Sequence, residues 1–433
     1  MNIKKISHLL NLLFSRQYFG FVQGHAWLSD NQLLEISHIL DSKENGHIVE
    51  EYEHKFSSMI GNGVGTSFAS GRMAFYVLMK ALGIGQGDEV ILPAFTCGVM
   101  PNAIGRLGAV PIFADISVET LGSDAASIER KISPRTKLIV AQHSFGIPCC
   151  IEEIVALGKK KGIRVIEDSA ISLGSSRDGV KVGDCADASI FSTDHTKPIN
   201  TLVGGLLYTR DRGLANKVQK IMEGVPSLSK DHQRRLYKRF LYERYYFNPQ
   251  RYGRSILEEK IGYHLLKGLK LRGPFLEADY GKDFSHQDYP YPARMPAFLA
   301  QLGIYELERW PQQREQRQQI LKEYLILMKE SGWGKFVPKA YMDKKNDIIP
   351  LRFAFCLPSF DKSKWQDFLA VDHTWFQSPV ICSSSPEIWG YQMGTCPKAE
   401  EVTKCIMNWP CVVPENSRDK LISRLRSASG VHE

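Results

Sequence analysis

Apolar positions along the first half of this chain follow two alternating rhythms, helical spacing and short continuous runs. Val49, Tyr52, Phe56 and Ile60 recur at helical spacing and predict a helix over 47–60, packed plainly against the rest. A second helix is expected over 73–82, capped by Ser70 and ended by Gly83. Apolar runs at 90–92, 109–116, 137–143, 164–168, 188–191 and 206–208 read as strands. Helices at 125–131 and 151–161 fall between them. After residue 289 the pattern predicts a helix reaching Trp310, another over 315–331, strand-like residues at 348–357 and a terminal helix over 418–425.

Strands alternating with helices imply right-handed crossovers and a mostly parallel sheet. Such sheets place their ligands at the carboxyl ends of the strands. One stretch carries candidate chemistry at that edge. The run from Arg164 ends in Glu167-Asp168, and the run ending in Ser192 is followed by Lys197 and then by Gly204-Gly205. A carboxylate and an amine so placed suit pyridoxal phosphate (PLP). That cofactor needs an amine to hold its aldehyde as a Schiff base and an anion to keep its pyridine nitrogen protonated. Taken singly, Asp168 could cap a helix and Lys197 could be a solvated loop lysine.

FSTDHTK followed by GG, and preceded by VIEDSA, resembles the lysine and aspartate motifs of the DegT/StrS family of PLP-dependent nucleotide-sugar aminotransferases. The resemblance runs from about Ile48 to Pro414. It implies an α/β fold of PLP fold-type I (aspartate-aminotransferase-like). The large domain has a mostly parallel sheet, and a smaller C-terminal α+β domain accompanies it. The division expected is a helical segment at 1–60, the PLP-binding domain at 61–226, an insert at 227–288, and a linking helix with the small domain at 289–433. By the same resemblance, Lys197 and Asp168 are the catalytic residues. Lys197 holds the cofactor and moves protons, and Asp168 pairs with the pyridinium. Ser70, Gly71, Arg72 and Ser192 surround the phosphate. Cys97 stands where many members cover the ring with an aromatic, with Phe95 two residues earlier. Ile171 stands where they place Gln, and Pro292 where an Asn serves the neighbouring subunit, so that Arg294 or a donor from the insert would have to compensate. His143 fits the HxxG motif and His195 neighbours the lysine; neither is counted as catalytic.

The reaction implied is a ping-pong transfer of an amino group, with glutamate the usual donor, to a keto sugar nucleotide for a cell-surface polysaccharide. A homodimer is expected. A PLP-dependent sugar dehydratase and a non-catalytic PLP-fold binding or assembly protein are the rival readings.

Composition adds constraints. At 433 residues, 43% hydrophobic and 24% charged, the chain resembles an ordinary soluble globular protein. Its nine cysteines form no CxxC pair, which suits reduced thiols in a cytoplasm. No metal, targeting segment or transmembrane span is expected. Residues 230–272 hold twelve basic side chains against four acidic ones, an excess equal to the whole chain's net charge of +8, interleaved with tyrosines. That run could cover a dimer as a solvated helix, touch anionic lipid as a peripheral membrane contact, or attract a diphosphate. Nucleic acid is the least fitting partner, since no recognised module accompanies the charge.

Overall fold

The computed structural model describes residues 24–42, 46–248, 250–251, 253–255, 257–258, 261–262, 273–281, 287–358, 375–383, 385–413 and 415–428. The short apolar runs become a seven-stranded sheet. In chain order its strands are β1 (Val64–Phe68), β2 (Glu89–Pro93), β3 (Val110–Ala114), β4 (Thr136–Gln142), β5 (Arg164–Asp168), β6 (Ala188–Ser192) and β7 (Gly205–Thr209). Side by side they run β1-β7-β6-β5-β4-β2-β3. All neighbours from β6 to β3 are parallel, whereas β7 runs antiparallel to both β6 and β1. The reversal has a simple cause. Residues 193–204 contain no crossover helix, and a strand reached without one must run back beside its predecessor.

Helices lie at α1 (Asp30–Asp41), α2 (Gly46–Ile60), α3 (Gly71–Ala81), α4 (Val99–Gly105), α5 (Ile151–Lys161), α6 (Arg212–Glu223), α7 (Lys230–Tyr246), α8 (Ala297–Glu330), α9 (Pro397–Cys405) and α10 (Glu415–Ala428). The ends of α5 follow from its charges. Glu152 and Glu153 sit in the first turn, Lys159 to Lys161 in the last, and Gly162 closes it in the left-handed region at φ 68°. In α2, Tyr52 and Phe56 are fully buried, the plain packing expected of them.

Two expectations need correction beyond Trp310. The helices anticipated on either side of residue 311 are one continuous helix, α8, with Pro311 inside it. Proline removes one backbone hydrogen bond from a helix. Here the buried side chains of Trp310, Gln313, Arg317 and Ile320 anchor both flanks, and Arg317 reaches the Pro350 and Leu351 carbonyls at 3.0 and 3.1 Å. The strand-like stretch at 348–357 narrows to β8 (Arg352–Cys356), paired antiparallel with β9 (Ile406–Pro410).

The basic run is described only in part. Its first half is α7, which buries His232, Leu236, Arg239, Phe240 and Glu243 as one stripe. Arg244 binds the Leu28 carbonyl and Asp30, both at 3.0 Å, while Arg234 and Lys238 remain exposed. Tyr252, Lys260, Lys267, Lys270 and Arg272 lie outside the described residues. Among the described residues, no helix is long and apolar enough to cross a membrane.

Candidate active site

Alternation along β5 sends its two terminal carboxylates to opposite sides. Glu167 is fully buried and accepts the N–H groups of Gly183, Cys185 and Ala186 at 2.7, 2.8 and 2.9 Å. His143 Nε2 lies 3.0 Å from the same carboxylate. The Cys149 N–H donates to His143 Nδ1 at 3.1 Å, so the ring proton sits on Nε2 and points at Glu167. His143 is therefore held between Glu167 and the Cys149 N–H.

Asp168 faces the other way. It is buried and receives the Ala170 N–H at 3.0 Å. Burial pushes its pKa up; the Ala170 N–H and then the charge of Lys197 pull it back down. A buried carboxylate of this kind suits a cationic partner.

Lys197 rides on the 193–204 connection between β6 and β7. Its N–H donates to the Asp194 carbonyl at 2.8 Å, and Thr193 and His195 donate to the Gly204 and Leu202 carbonyls at 2.9 and 3.1 Å. Across the loop the hydroxyls of Thr193 and Thr201 lie 2.6 Å apart. Lys197 Nζ stands 5.2 Å from the ring centroid of Trp375, a residue that sequence reasoning missed. Trp375 is remote in sequence and no local motif marks it.

Ser70, Gly71 and Ser192 are brought together beside the loop. Ser70 caps α3 by accepting the Met73 N–H at 3.4 Å. A Cβ on Gly71 would fall 3.0 Å from the Phe191 carbonyl oxygen and 3.2 Å from Ser192 Cβ. A Cβ on Gly205 would fall 2.2 Å from Gly71 N. These glycines let the positive end of α3 press against β6 and β7, the arrangement that binds anions. Gly205→Ala is expected to destabilise the protein by about 3 kcal/mol or more, because backbone must shift to admit the methyl. Gly85→Ala, where a Cβ meets nothing within 4 Å, is the matched control. Urea melts of the two variants check this, and equal midpoints would contradict it.

Arg72 departs from its expected surroundings. Its backbone opens α3, but its side chain is buried, with Nε 2.5 Å from Asp279 and a second nitrogen 2.9 Å from the Leu276 carbonyl. Asp279 also takes Arg106 at 2.9 Å and the Tyr289 hydroxyl at 3.0 Å. The insert thus returns to the site through residues 276–280, and Tyr280 lies with its ring 5.4 Å from the Arg72 guanidinium. Asp279 lies just past the basic run, in a stretch that also carries Glu277, and that change of sign was the available signal.

Phe95 belongs to the core, fully buried at φ 74° and 4.8 Å from the Phe376 ring. Ile171 is likewise buried among apolar neighbours. Arg294 is committed elsewhere: it donates to the Val225 carbonyl at 2.7 Å and to that of Met222. It therefore closes the end of α6.

Cys97 is half-buried on a short strand, Thr96–Cys97, that pairs in parallel with Val380–Ile381. All nine cysteines are free. The hydrogen bond with Cys382 is the main influence holding the Cys97 thiol below the ordinary thiol range, and Val99 N–H, Lys197 and Arg72 assist against burial. Alkylation of Cys97 by iodoacetamide should therefore begin at lower pH than that of an ordinary thiol. In Cys382→Ala its midpoint should move up, as read by peptide mass spectrometry; an unmoved midpoint would contradict this.

A mostly parallel sheet, with an amine loop and a buried carboxylate at its carboxyl edge, defines a fold-type I α/β protein. Spr1654 from Streptococcus pneumoniae, assigned as a sugar aminotransferase and solved in its PLP form, shares this fold with a TM-score of 0.70. That match has 20% identity and covers 96% of this chain and 100% of the other. Residues 28–241 match the model of the DegT/DnrJ/EryC1/StrS aminotransferase family. GDP-perosamine synthase of Escherichia coli O157:H7 is 38% identical over 185 residues, 42% of this chain and 51% of that protein. A UDP-N-acetyl-3-dehydro-alpha-D-glucosamine 3-aminotransferase of Acidithiobacillus ferrooxidans is 36% identical over 195 residues, 44% of this chain and 53% of that one. In sequence, the chain spans about half the length of these curated relatives.

Proposed function

We propose that this protein is a PLP-dependent aminotransferase that transfers an amino group, from glutamate, to the ketone of a nucleotide-linked sugar for a cell-surface polysaccharide. The observation that carries this reading is the placement of Lys197 and Asp168. They sit at the carboxyl ends of neighbouring parallel strands, with the start of α3 alongside.

The residues present fit the cofactor. Gly71 and Gly205 let the start of α3 lie directly against β6 and β7, and the backbone donors at that helix start suit a phosphate. PLP supplies an aldehyde that captures amines and a ring that withdraws electrons. Lys197 Nζ would hold it covalently and, once displaced, take a proton from the donor's α-carbon and return one across the 1,3-shift. Asp168 would keep the pyridine nitrogen protonated. The backbone at Gly71-Arg72 and the Ser192 hydroxyl would hold the phosphate. Trp375 and Cys97 border the lysine, so the ring's surroundings come from two distant parts of the chain. The sugar class is drawn from the named relatives, and a cytoplasmic homodimer belongs to the same proposal.

Glutamate alone tests the reading. Protein loaded with PLP should release about one equivalent of 2-oxoglutarate per site, then aminate a keto sugar nucleotide, as read by mass spectrometry. A binding protein would release none, and a dehydratase would give a sugar product without the new amine.

A further inference from the structure

We infer that Glu243, on α7, is a positioning residue that holds the Lys197 loop from outside. The inference rests on the reading of Lys197 as the cofactor's amine. Glu243 is fully buried, and its carboxylate engages both shoulders of the loop. His195 Nδ1 lies 3.4 Å from Oε1, and the Asn200 side-chain amide donates to Oε2 at 3.3 Å. Lys197 stands between these two residues in the chain. Asn200 passes the restraint inward, since its Oδ1 accepts the Leu202 N–H at 2.9 Å. Its carbonyl faces His25 Nε2, also at 2.9 Å.

The carboxylate is itself fixed. Arg239, one turn earlier on α7, donates from Nε at 2.8 Å. The guanidinium lies 4.9 Å from the Phe247 ring and 5.1 Å from that of Phe275, and His195 packs on the same Phe275 ring at 4.5 Å. Among the described residues, the charged or titratable groups facing Glu243 are Arg239, His195 and His25, with Asp194 3.8 Å from His195. Burial opposes the charge of Glu243, but Arg239 first and then the histidines keep it ionised. A rigid helix carrying a charged clamp can fix a loop amine to the fraction of an ångström that proton transfer demands. The basic insert thereby serves the site through the one acidic residue within α7's buried stripe.

The test compares Glu243→Ala and Glu243→Gln with the parent protein. Hydrogen exchange of the 193–203 peptide is followed without cofactor, and kcat and KM for the glutamate half-reaction are followed with it. Glu243→Ala should speed exchange in 193–203 roughly tenfold or more while peptides from β4 and β5 stay unchanged. It should lower kcat by up to about 10²-fold with little change in KM, the effect of a displaced reacting group. Glu243→Gln, which keeps the shape and an acceptor, should recover part of both. If Glu243→Ala does not fold, the double variant His195→Ala/Asn200→Ala removes the same clamp from the loop side. Unchanged exchange in 193–203, or a kcat within about twofold of the parent, would overturn the inference. If the parent protein fails to capture PLP at Lys197, the function proposed above falls, and the exchange measurement still decides whether Glu243 holds the loop.

Discussion

Lys197→Ala is expected to yield a folded protein that no longer fixes PLP covalently and consumes glutamate at least on the order of a thousandfold more slowly. Proton transfer by a placed side chain is commonly worth 10²–10⁴ in rate, and this lysine would both anchor the cofactor and move the proton. The fold should survive because the loop is held by backbone and threonine contacts, not by the amine. The Lys197 N–H to Asp194 bond at 2.8 Å and the Thr193–Thr201 contact at 2.6 Å are untouched by truncation. Single-turnover release of 2-oxoglutarate, with a urea melt alongside, measures both halves. Turnover near the parent's rate would remove Lys197 from the chemistry.

Asp168→Asn is expected to slow the same half-reaction by about 10²–10³-fold, the equivalent of losing one partner of a buried ion pair. The amide still accepts the Ala170 N–H that Asp168 takes at 3.0 Å, so the change is one of charge. Without cofactor the variant should be the more stable protein at neutral pH. Burial raises the Asp168 pKa above its ordinary value of 3.8, so the ionised carboxylate weakens the native state. Native stability from this group is fullest below the ordinary value and is lost as pH rises through the folded one. The advantage of Asn over Asp should therefore vanish as pH falls below that range. Added PLP should reverse the order by giving the parent's carboxylate its cation. Thermal melts across pH, with and without cofactor, check the sign. A variant less stable than the parent at neutral pH without PLP would contradict it.

Much of this architecture was legible where local signals agree. The bounds of α5 coincide with its charged first and last turns and with Gly162. β5 falls where the apolar run ends in two carboxylates. Asp168, Lys197 and the Ser70-Gly71 turn stand out in the sequence through the resemblance of their surrounding motifs to a known family, since each residue alone reads as an ordinary cap or loop position. What escaped depends on partners far apart in the chain. The single helix through Pro311 is sustained by buried anchors on both sides of the proline, which periodicity alone does not weigh. Trp375 meets Lys197 from 178 positions away, and Asp279 neutralises Arg72 across a separation of 207. Glu243 looked like one acid in a solvated basic helix until the fold turned it inward against His195 and Asn200.

Borohydride reduction of the protein incubated with PLP tests the central claim most directly. Peptide mapping should find one reduced pyridoxyl group, on the peptide that carries Lys197, and pre-incubation with glutamate should suppress it. A protein that stays unlabelled, or that is labelled on surface lysines while Lys197 is untouched, would contradict the assignment.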